Sequence, residues 1–370
     1  MSTPGFIGMR HGGEPLAARS RPTLKDVARV AGVSITAVSE VLNMRATADR
    51  FPASTRQRIE QAARDLGYQP NEMARALRRR TSRSIGFLSA GAITTPYAVD
   101  ILAAAQQVAS ENGHLLVVVD VGYPVSAVAL EQAMDSLLQH QVSSLVVACN
   151  YHQYVEPSAS LPSSTVFVNG RASSDGYRSI VPDERRAAYN AVTELLSHGH
   201  RRIAFLDDNT GTIASRLRHD GYLAALADHG VTHDPRLHVL ADSMTRGGVR
   251  GEELLDLPAS ERPTGLFCFN DHMAMGLYRA ARRRGLRIPG DLSVVGFDDQ
   301  EYIASELDPP LTTMRLPHAE MGRLAIEAVL DLDTTYADWQ SEVQEGGSVA
   351  LVDCPIVRRD SVAGPPGLRA

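Results

Sequence analysis

Between residues 84 and 297 the chain alternates between short apolar runs and longer stretches with apolar residues three or four apart. Runs of four to eight apolar residues suit buried strands, and the wider spacing suits helices. The strand-like runs are 84–90, 114–121, 144–149, 165–169, 202–207, 238–240, 266–269 and 292–297. The helical stretches are 99–111, 127–140, 186–197, 218–227, 248–256 and 271–284. Strands joined through helices lie parallel, with helices covering both faces of the sheet. The length fits two such sheets, of five to six strands each, better than one. Ligands in doubly wound folds bind beyond the carboxyl ends of strands, so a two-lobed body places its site in the cleft.

The segment before this body has a different character. Residues 1–83 carry 15 Lys+Arg against 7 Asp+Glu, whereas the remainder carries 22 against 36. A basic head on an acidic body suits a polyanion-binding module joined to something else. Within the head, Thr23 can cap a helix with Asp26 three residues later. Leu24, Val27, Ala28 and Ala31 recur at helical spacing, and Gly32 stops the helix. Ser34 can cap a second helix to Leu42, with Val38, Val41 and Leu42 inward. A third helix follows over 54–66, with Ile59, Ala62, Ala63 and Leu66 inward. Helix, tight glycine turn, helix is the form of a helix-turn-helix. The segment 70–80, opened by Asn71 after Pro70, reads as a short helix with too few apolar positions to stand alone.

The ordered series Thr23-Leu24-Lys25-Asp26-Val27-Ala28, Ala31-Gly32-Val33-Ser34, Val38-Ser39, Val41-Leu42-Asn43 and Leu66-Gly67-Tyr68-Gln69-Pro70-Asn71, with Ala74-Arg75 and Leu77, resembles the head and hinge of the lactose-repressor (LacI/GalR) family. In the body, Gly199-His200-Arg201-Arg202-Ile203, Phe269-Asn270-Asp271, Ser293-Val294-Val295-Gly296-Phe297-Asp298-Asp299 and Leu311-Thr312-Thr313 continue the resemblance, which spans 23 to about 330. The fold it implies is α/β: an N-terminal all-α helix-turn-helix head, and a two-lobed core like periplasmic sugar-binding proteins with two parallel doubly wound sheets. The expected organisation is a disordered extension at 1–21, the DNA-binding head at 22–69, a hinge helix and linker at 70–83, an effector-binding core at 84–360 and a tail at 361–370. Lobe one comprises about 84–181 and 317–344, and lobe two about 182–313 and 348–360. The chain is expected to cross between lobes near 181–183, 313–317 and 345.

The function implied is a sequence-specific DNA-binding transcriptional regulator, a repressor whose grip on DNA a small molecule controls. The partners are double-stranded, pseudo-palindromic operator DNA, a sugar or sugar derivative as effector, and a second copy in a homodimer. The resemblance lays helix 34–42 in the major groove. Ile35, Thr36 and Glu40 match base-reading positions. Thr23, Ser34, Ser39 and Asn43 match phosphate-contacting ones. The hinge helix, opened by Asn71, enters the minor groove, where Leu77 wedges a base step and Ala74 lies beside it. Many relatives carry Arg at the position of Glu40; Glu accepts from cytosine whereas Arg donates to guanine, so an altered base preference is expected. The effector positions are Tyr97, Asn169, Arg218, Asn270 and Asp298, a set suited to multi-point hydrogen bonding of a polyol. Many relatives have Asp at the position of Asn169 and an aromatic at that of Met244.

Other readings carry less. The body shows no GxGxxG after a strand, no phosphate-binding loop and no GxSxG turn, so an enzyme is not expected. The runner-up is a stand-alone carbohydrate receptor, against which the basic head argues. Cys149, Cys268 and Cys354 lie too far apart for a zinc site and read as buried thiols. No cofactor and no metal are expected. His200 and His219 read as solvated. Neither an export signal nor a membrane-length apolar run is evident, so the expected location is the cytoplasm.

Overall fold

The computed structural model describes residues 22–42, 50–68, 83–93, 98–122, 125–156, 161–174, 176–241, 247–332, 340–341 and 348–366. Contacts divide the chain into two compact units, 1–81 and 82–370.

The first unit contains three helices, α1 (Leu24–Ala31), α2 (Ile35–Leu42) and α3 (Ala53–Leu66). Asp26 accepts from the backbone N–H of Thr23 at 3.0 Å and from its hydroxyl at 2.7 Å, closing the first turn of α1. Gly32 ends α1 at φ 65°, a left-handed value that costs glycine little. The turn then places Ser34 to accept from Ala37 N at 3.1 Å and start α2. Val27, Ala28, Ala31, Val38, Val41, Ile59, Ala62 and Ala63 form one buried cluster. The small alanines let the helices cross closely.

The second unit is built on two sheets. The first contains β1 (Ser84–Ala90), β2 (Leu115–Asp120), β3 (Ser144–Cys149), β5 (Val166–Val168), β7 (Arg178–Pro182), β13 (Gln340–Ser341) and β14 (Ser348–Val352), in the order β13-β14-β7-β5-β3-β1-β2. A two-stranded ribbon, β4 (Tyr154–Val155) with β6 (Arg171–Ala172), lies apart from it. The second sheet contains β8 (Ile203–Asp208), β9 (His238–Ala241), β10 (Gly265–Cys268), β11 (Ser293–Asp298), β12 (Thr312–Arg315) and β15 (Ile356–Val357), in the order β15-β12-β11-β10-β8-β9. All pairings are parallel except the edges β13–β14 and β12–β15. Every residue of β3, β8 and β11 is buried, as strands covered on both faces must be. Among the described residues the second sheet has the six strands expected, and the first has seven rather than five to six, its edge strand β13 being only two residues long.

The helices are α4 (Val99–Glu111), α5 (Ala127–Gln139), α6 (Glu184–Ser197), α7 (Ile213–Asp228), α8 (Gly247–Leu255), α9 (Asp271–Arg283), α10 (Glu301–Ala304) and α11 (His318–Val329). The chain passes between lobes after β7, after β12 and after β14. The third passage lies at 353–355, not near 345: Ser348–Val352 pairs in parallel register with Arg178–Pro182 and so belongs to the first lobe. The passages brace one another. Asp183 N donates to Val352 O at 2.9 Å, and Arg315 N to Pro355 O at 2.8 Å. The expected tail at 361–370 also begins later. Ser361 is fully buried; its hydroxyl donates to Val294 O at 2.6 Å and accepts from Thr312 N at 2.8 Å, stitching it to the second sheet.

Two glycines allow helices to touch through their backbones. Gly322 of α11 lies against the backbone of Ile101 in α4, and Gly221 of α7 against the carbonyl of Arg185 in α6. A Cβ at 221 would overlap that carbonyl and sit 2.9 Å from the Ala188 methyl. Gly221→Ala should therefore destabilise the protein by about 1–3 kcal/mol through overpacking, read as an earlier midpoint in urea denaturation.

Candidate functional site

The carboxyl ends of β3, β5, β10 and β11 converge where the two lobes of the second unit meet. Asn150 and His152 follow β3, Asn169 follows β5, Phe269 and Asn270 follow β10, and Asp298 ends β11. Arg218 and Ala214 come from α7, Glu184 is the first residue of α6, and Leu316 lies on the second passage. Together these groups surround a void of about 10 Å³, enough for a single water.

Arg218 is the centre of the cluster. It is 3% exposed. Its Nε donates to Glu184 Oε2 at 2.7 Å, its Nη1 donates to the carbonyl of Phe269, and Asp298 Oδ1 lies 4.0 Å from Nη1. The guanidinium carbon sits 3.5 Å from the Phe297 ring centre and 4.3 Å from that of Phe269, a cation–π sandwich. Burial opposes the Arg218 charge, but Glu184 and Asp298 outweigh it and hold the group above its ordinary value. Asp298 is also buried. Burial pushes its carboxyl up to about 7, against the pull of Arg218 and of Gln300, whose amide donates to it at 2.9 Å.

The surroundings fix these groups. Asp298 has φ 107° and Asn169 φ 52°, backbone values that side-chain-bearing residues adopt at a cost of about 1–3 kcal/mol and that concentrate at functional sites. Behind Asp298, the buried Asp271 carboxylate accepts from Gln300 N at 2.8 Å and from the Thr313 hydroxyl at 2.7 Å. Gly296 leaves room for it, since a Cβ there would collide with Asp271 and Leu311. Asn270 spends its side-chain oxygen on Met273 N, capping α9 at 2.9 Å. Asn169 donates to Cys149 O at 3.2 Å. His152, 1% exposed, receives a hydrogen bond from Arg171 at 3.1 Å, while its Nδ1 has no partner. Burial, and then Arg171, Arg218 and Arg216, lower its pKa well below the ordinary value, so it stays neutral.

Arg218, Asn270, Asp298 and Asn169 thus lie around one void, while Tyr97 and Met244 fall outside the described residues. Sequence reasoning missed Glu184, His152 and the two phenylalanines. His200 is buried rather than solvated, bonded to Thr264 and to Ala363 O at 2.9 and 2.8 Å. His219 stacks on His238 at 4.2 Å. The partners of His200 lie 64 and 163 residues away in the chain, whereas His219 is only half-buried. All three cysteines are buried and free.

In the head, Ser34, Ile35 and Thr36 are exposed on the first turn of α2. Ser39 is buried, and Glu40 is paired with Arg50 at 3.3 Å. Thr23 carries the Asp26 cap. Asn43, Asn71, Ala74 and Leu77, with the expected hinge helix and the extension 1–21, lie outside the described residues.

Residues 23–71 match the model described as bacterial regulatory proteins, lacI family, and residues 192–362 match the periplasmic binding protein-like domain. The ribose operon repressor of Haemophilus influenzae is 33% identical over 312 residues, covering 83% of this chain and 91% of that protein. The transcriptional repressor CytR of Escherichia coli K12 is 32% identical over 349 residues, covering 93% and 97%. The chain belongs to the lacI family of bacterial regulatory proteins. It is accordingly a DNA-binding transcriptional regulator and not an enzyme. The lac repressor dimer bound to operator superposes with TM-score 0.76 at 28% identity, over 93% of this chain and 100% of that one. A CelR–cellobiose complex gives 0.61 at 25%, over 92% and 100%.

For this lacI-family chain, the clearest energetic consequence concerns Glu184. Removing one partner of a buried ion pair leaves an uncompensated charge, at about 3–5 kcal/mol. Glu184→Ala should lower stability by that order in urea denaturation, and Glu184→Gln, which keeps a hydrogen-bond acceptor, by less.

Proposed function

We propose that this regulator represses transcription as a homodimer in the cytoplasm, and that a sugar or sugar derivative bound at Arg218, Asp298, Asn270 and Asn169 sets its affinity for a pseudo-palindromic operator. The observation that carries the reading is the cluster itself: a buried arginine, two carboxylates and two amides at strand ends, a donor and acceptor set suited to several hydroxyls at once. Ribose operon and CelR–cellobiose relatives point to the same ligand class. No helix among the described residues is long and apolar enough to cross a membrane.

In this reading the exposed first turn of α2, with Ser34, Ile35 and Thr36, faces base edges and phosphates. Two heads then read two half-sites, and the hinge residues Asn71, Ala74 and Leu77 act at the centre, with Thr23 and Asn43 on the backbone. Ser39 reaches phosphate only by turning out of its buried position. Glu40 leaves Arg50 to reach a base, which gives operator choice a second cost beyond the changed donor pattern.

Opening the cluster exchanges Arg218–Glu184 and Gln300–Asp298 bonds for bonds to ligand hydroxyls. Because buried polar groups must stay paired, the lobes reclose only around a ligand of matching pattern. Selection from a randomised duplex pool should yield a two-fold symmetric sequence, and a binding sugar should shift that complex in a gel. Arg218→Ala should bind the same operator but lose the sugar response. Enrichment of no sequence would overturn the reading.

A second expectation concerns pH. A ligand hydroxyl donates to the ionised Asp298, and the raised carboxyl ionises only as pH climbs through about 7. Effector affinity should therefore rise roughly tenfold from pH 6 to pH 8, with nearly one proton released on binding at pH 6 and almost none at pH 8. Calorimetry in buffers of different ionisation heat checks this, and Asp298→Asn should flatten the profile.

A further inference from the structure

The exposed face of α2 carries a charge pair one turn beyond its start. Ile35 and Thr36 lie exposed on the first turn, and Glu40 follows Thr36 by four residues, so it stands further along the same face. There Arg50, from outside the helix, donates through Nη2 to Glu40 Oε2 at 3.3 Å. The two side chains are unequally covered, Glu40 being 16% exposed and Arg50 68%. This part of the face therefore presents mostly guanidinium to its surroundings. A bare carboxylate there would be repelled by DNA phosphates, and the arginine cancels that charge. A surface pair of this kind contributes little in solution, so it opens at small cost.

Base edges in the major groove offer a pattern of the same dimensions. In a C·G pair the cytosine N4 donor and the guanine O6 acceptor are hydrogen-bonded to each other, so about 3 Å separates them. Glu40 and Arg50 hold an acceptor and a donor at close to that separation. Guanine also places N7 beside O6, and an arginine fork takes both, whereas thymine offers a single acceptor beside a methyl group. Cytosine shows the carboxylate a donor alone, whereas adenine sets its N7 acceptor beside the donor. With the pair reversed to G·C, the carboxylate meets the guanine acceptors and the guanidinium meets the cytosine amine. Acceptor then faces acceptor, and donor faces donor.

We propose that Arg50 is a base-reading residue, and that Glu40 and Arg50 together read a single C·G pair in each half-site. Glu40 accepts from cytosine N4, and Arg50 donates to guanine O6 and N7. This rests on the reading of α2 as the helix that faces base edges, and adds a residue, a base pair and its orientation. The bond that Glu40 gives up on leaving Arg50 is replaced by contacts to both strands of one pair, with the spacing of the two side chains kept.

Fluorescence anisotropy tests this with the full chain and its selected operator, at several salt concentrations. The comparison duplexes carry each other base pair in turn, placed symmetrically at every position of both half-sites. One position should require C·G, and the reversed G·C pair should bind weakest there, by about tenfold or more. Arg50→Ala should lose affinity for the C·G operator by about that factor and leave the other duplexes nearly unchanged. Arg50→Lys keeps the charge without the fork, so it should keep the salt dependence and lose the preference. Glu40→Gln should relax the same position and no other. Neither side chain belongs to the buried cluster of the head, so urea midpoints should stay near the wild-type value. Arg50→Ala weakening every sequence equally, with a salt slope smaller by about one contact, places Arg50 on phosphate and overturns the proposal. Glu40 and Arg50 variants that relax different positions overturn it as well. Selection that enriches no sequence removes the operator reading itself, a failure distinct from these.

Discussion

The geometry of the second unit turns on one buried guanidinium. Arg218 cannot shed its charge, and left unpaired in the interior it would cost several kcal/mol, a large share of a domain's net stability. Its compensation comes from four directions: Glu184 immediately after the first passage, the Phe269 carbonyl beyond β10, Asp298 at the end of β11, and the rings of Phe269 and Phe297. These partners come from three segments of the second lobe, the start of α6, the end of β10 and the end of β11. The requirement to keep this charge paired therefore fixes α6, α7, β10 and β11 relative to one another. It also places Asp298 and Asn270 opposite Asn169, Asn150 and His152 of the first lobe.

That arrangement suits a switch more than a rigid support. Buried polar groups tolerate few configurations, because each one must satisfy its donors and acceptors. Here the cluster is closed upon itself, and in the proposed function a ligand supplies an alternative set of bonds. The three passages hydrogen-bond to one another, so a change at the cluster acts where the chain moves between lobes. In the same proposal the Asp298 proton adds a second control, since ionisation of that carboxyl and arrival of a hydroxyl would favour each other.

Much of this was legible in the sequence, for identifiable reasons. Strands such as Ser144–Cys149 and Ser293–Asp298 are buried on both faces and so read as continuous apolar runs. The residues after such runs sit at carboxyl ends, which agrees with Asn169, Asn270 and Asp298, the positions the family resemblance implies. The head was legible because its caps are local: Thr23 with Asp26, Gly32, and Ser34 with Ala37. What escaped is non-local. Glu184 follows no motif and gains meaning only from an arginine 34 residues away. Ser348–Val352 is a short apolar run whose sheet partner lies far back in the chain, and only its pairing with Arg178–Pro182 shows that it belongs to the first lobe. His200 reads as a polar turn residue until Thr264 and Ala363 close around it.

The central claim is that ligand occupancy of the cleft and operator binding by the head are linked through one protein. Linkage requires reciprocity. The most direct test measures effector affinity twice by calorimetry, on the free protein and on the protein saturated with its selected operator, beside operator affinity with and without effector. The account predicts that the two ratios are equal and differ from one. Effector affinity that is identical in the free and operator-bound protein would contradict it.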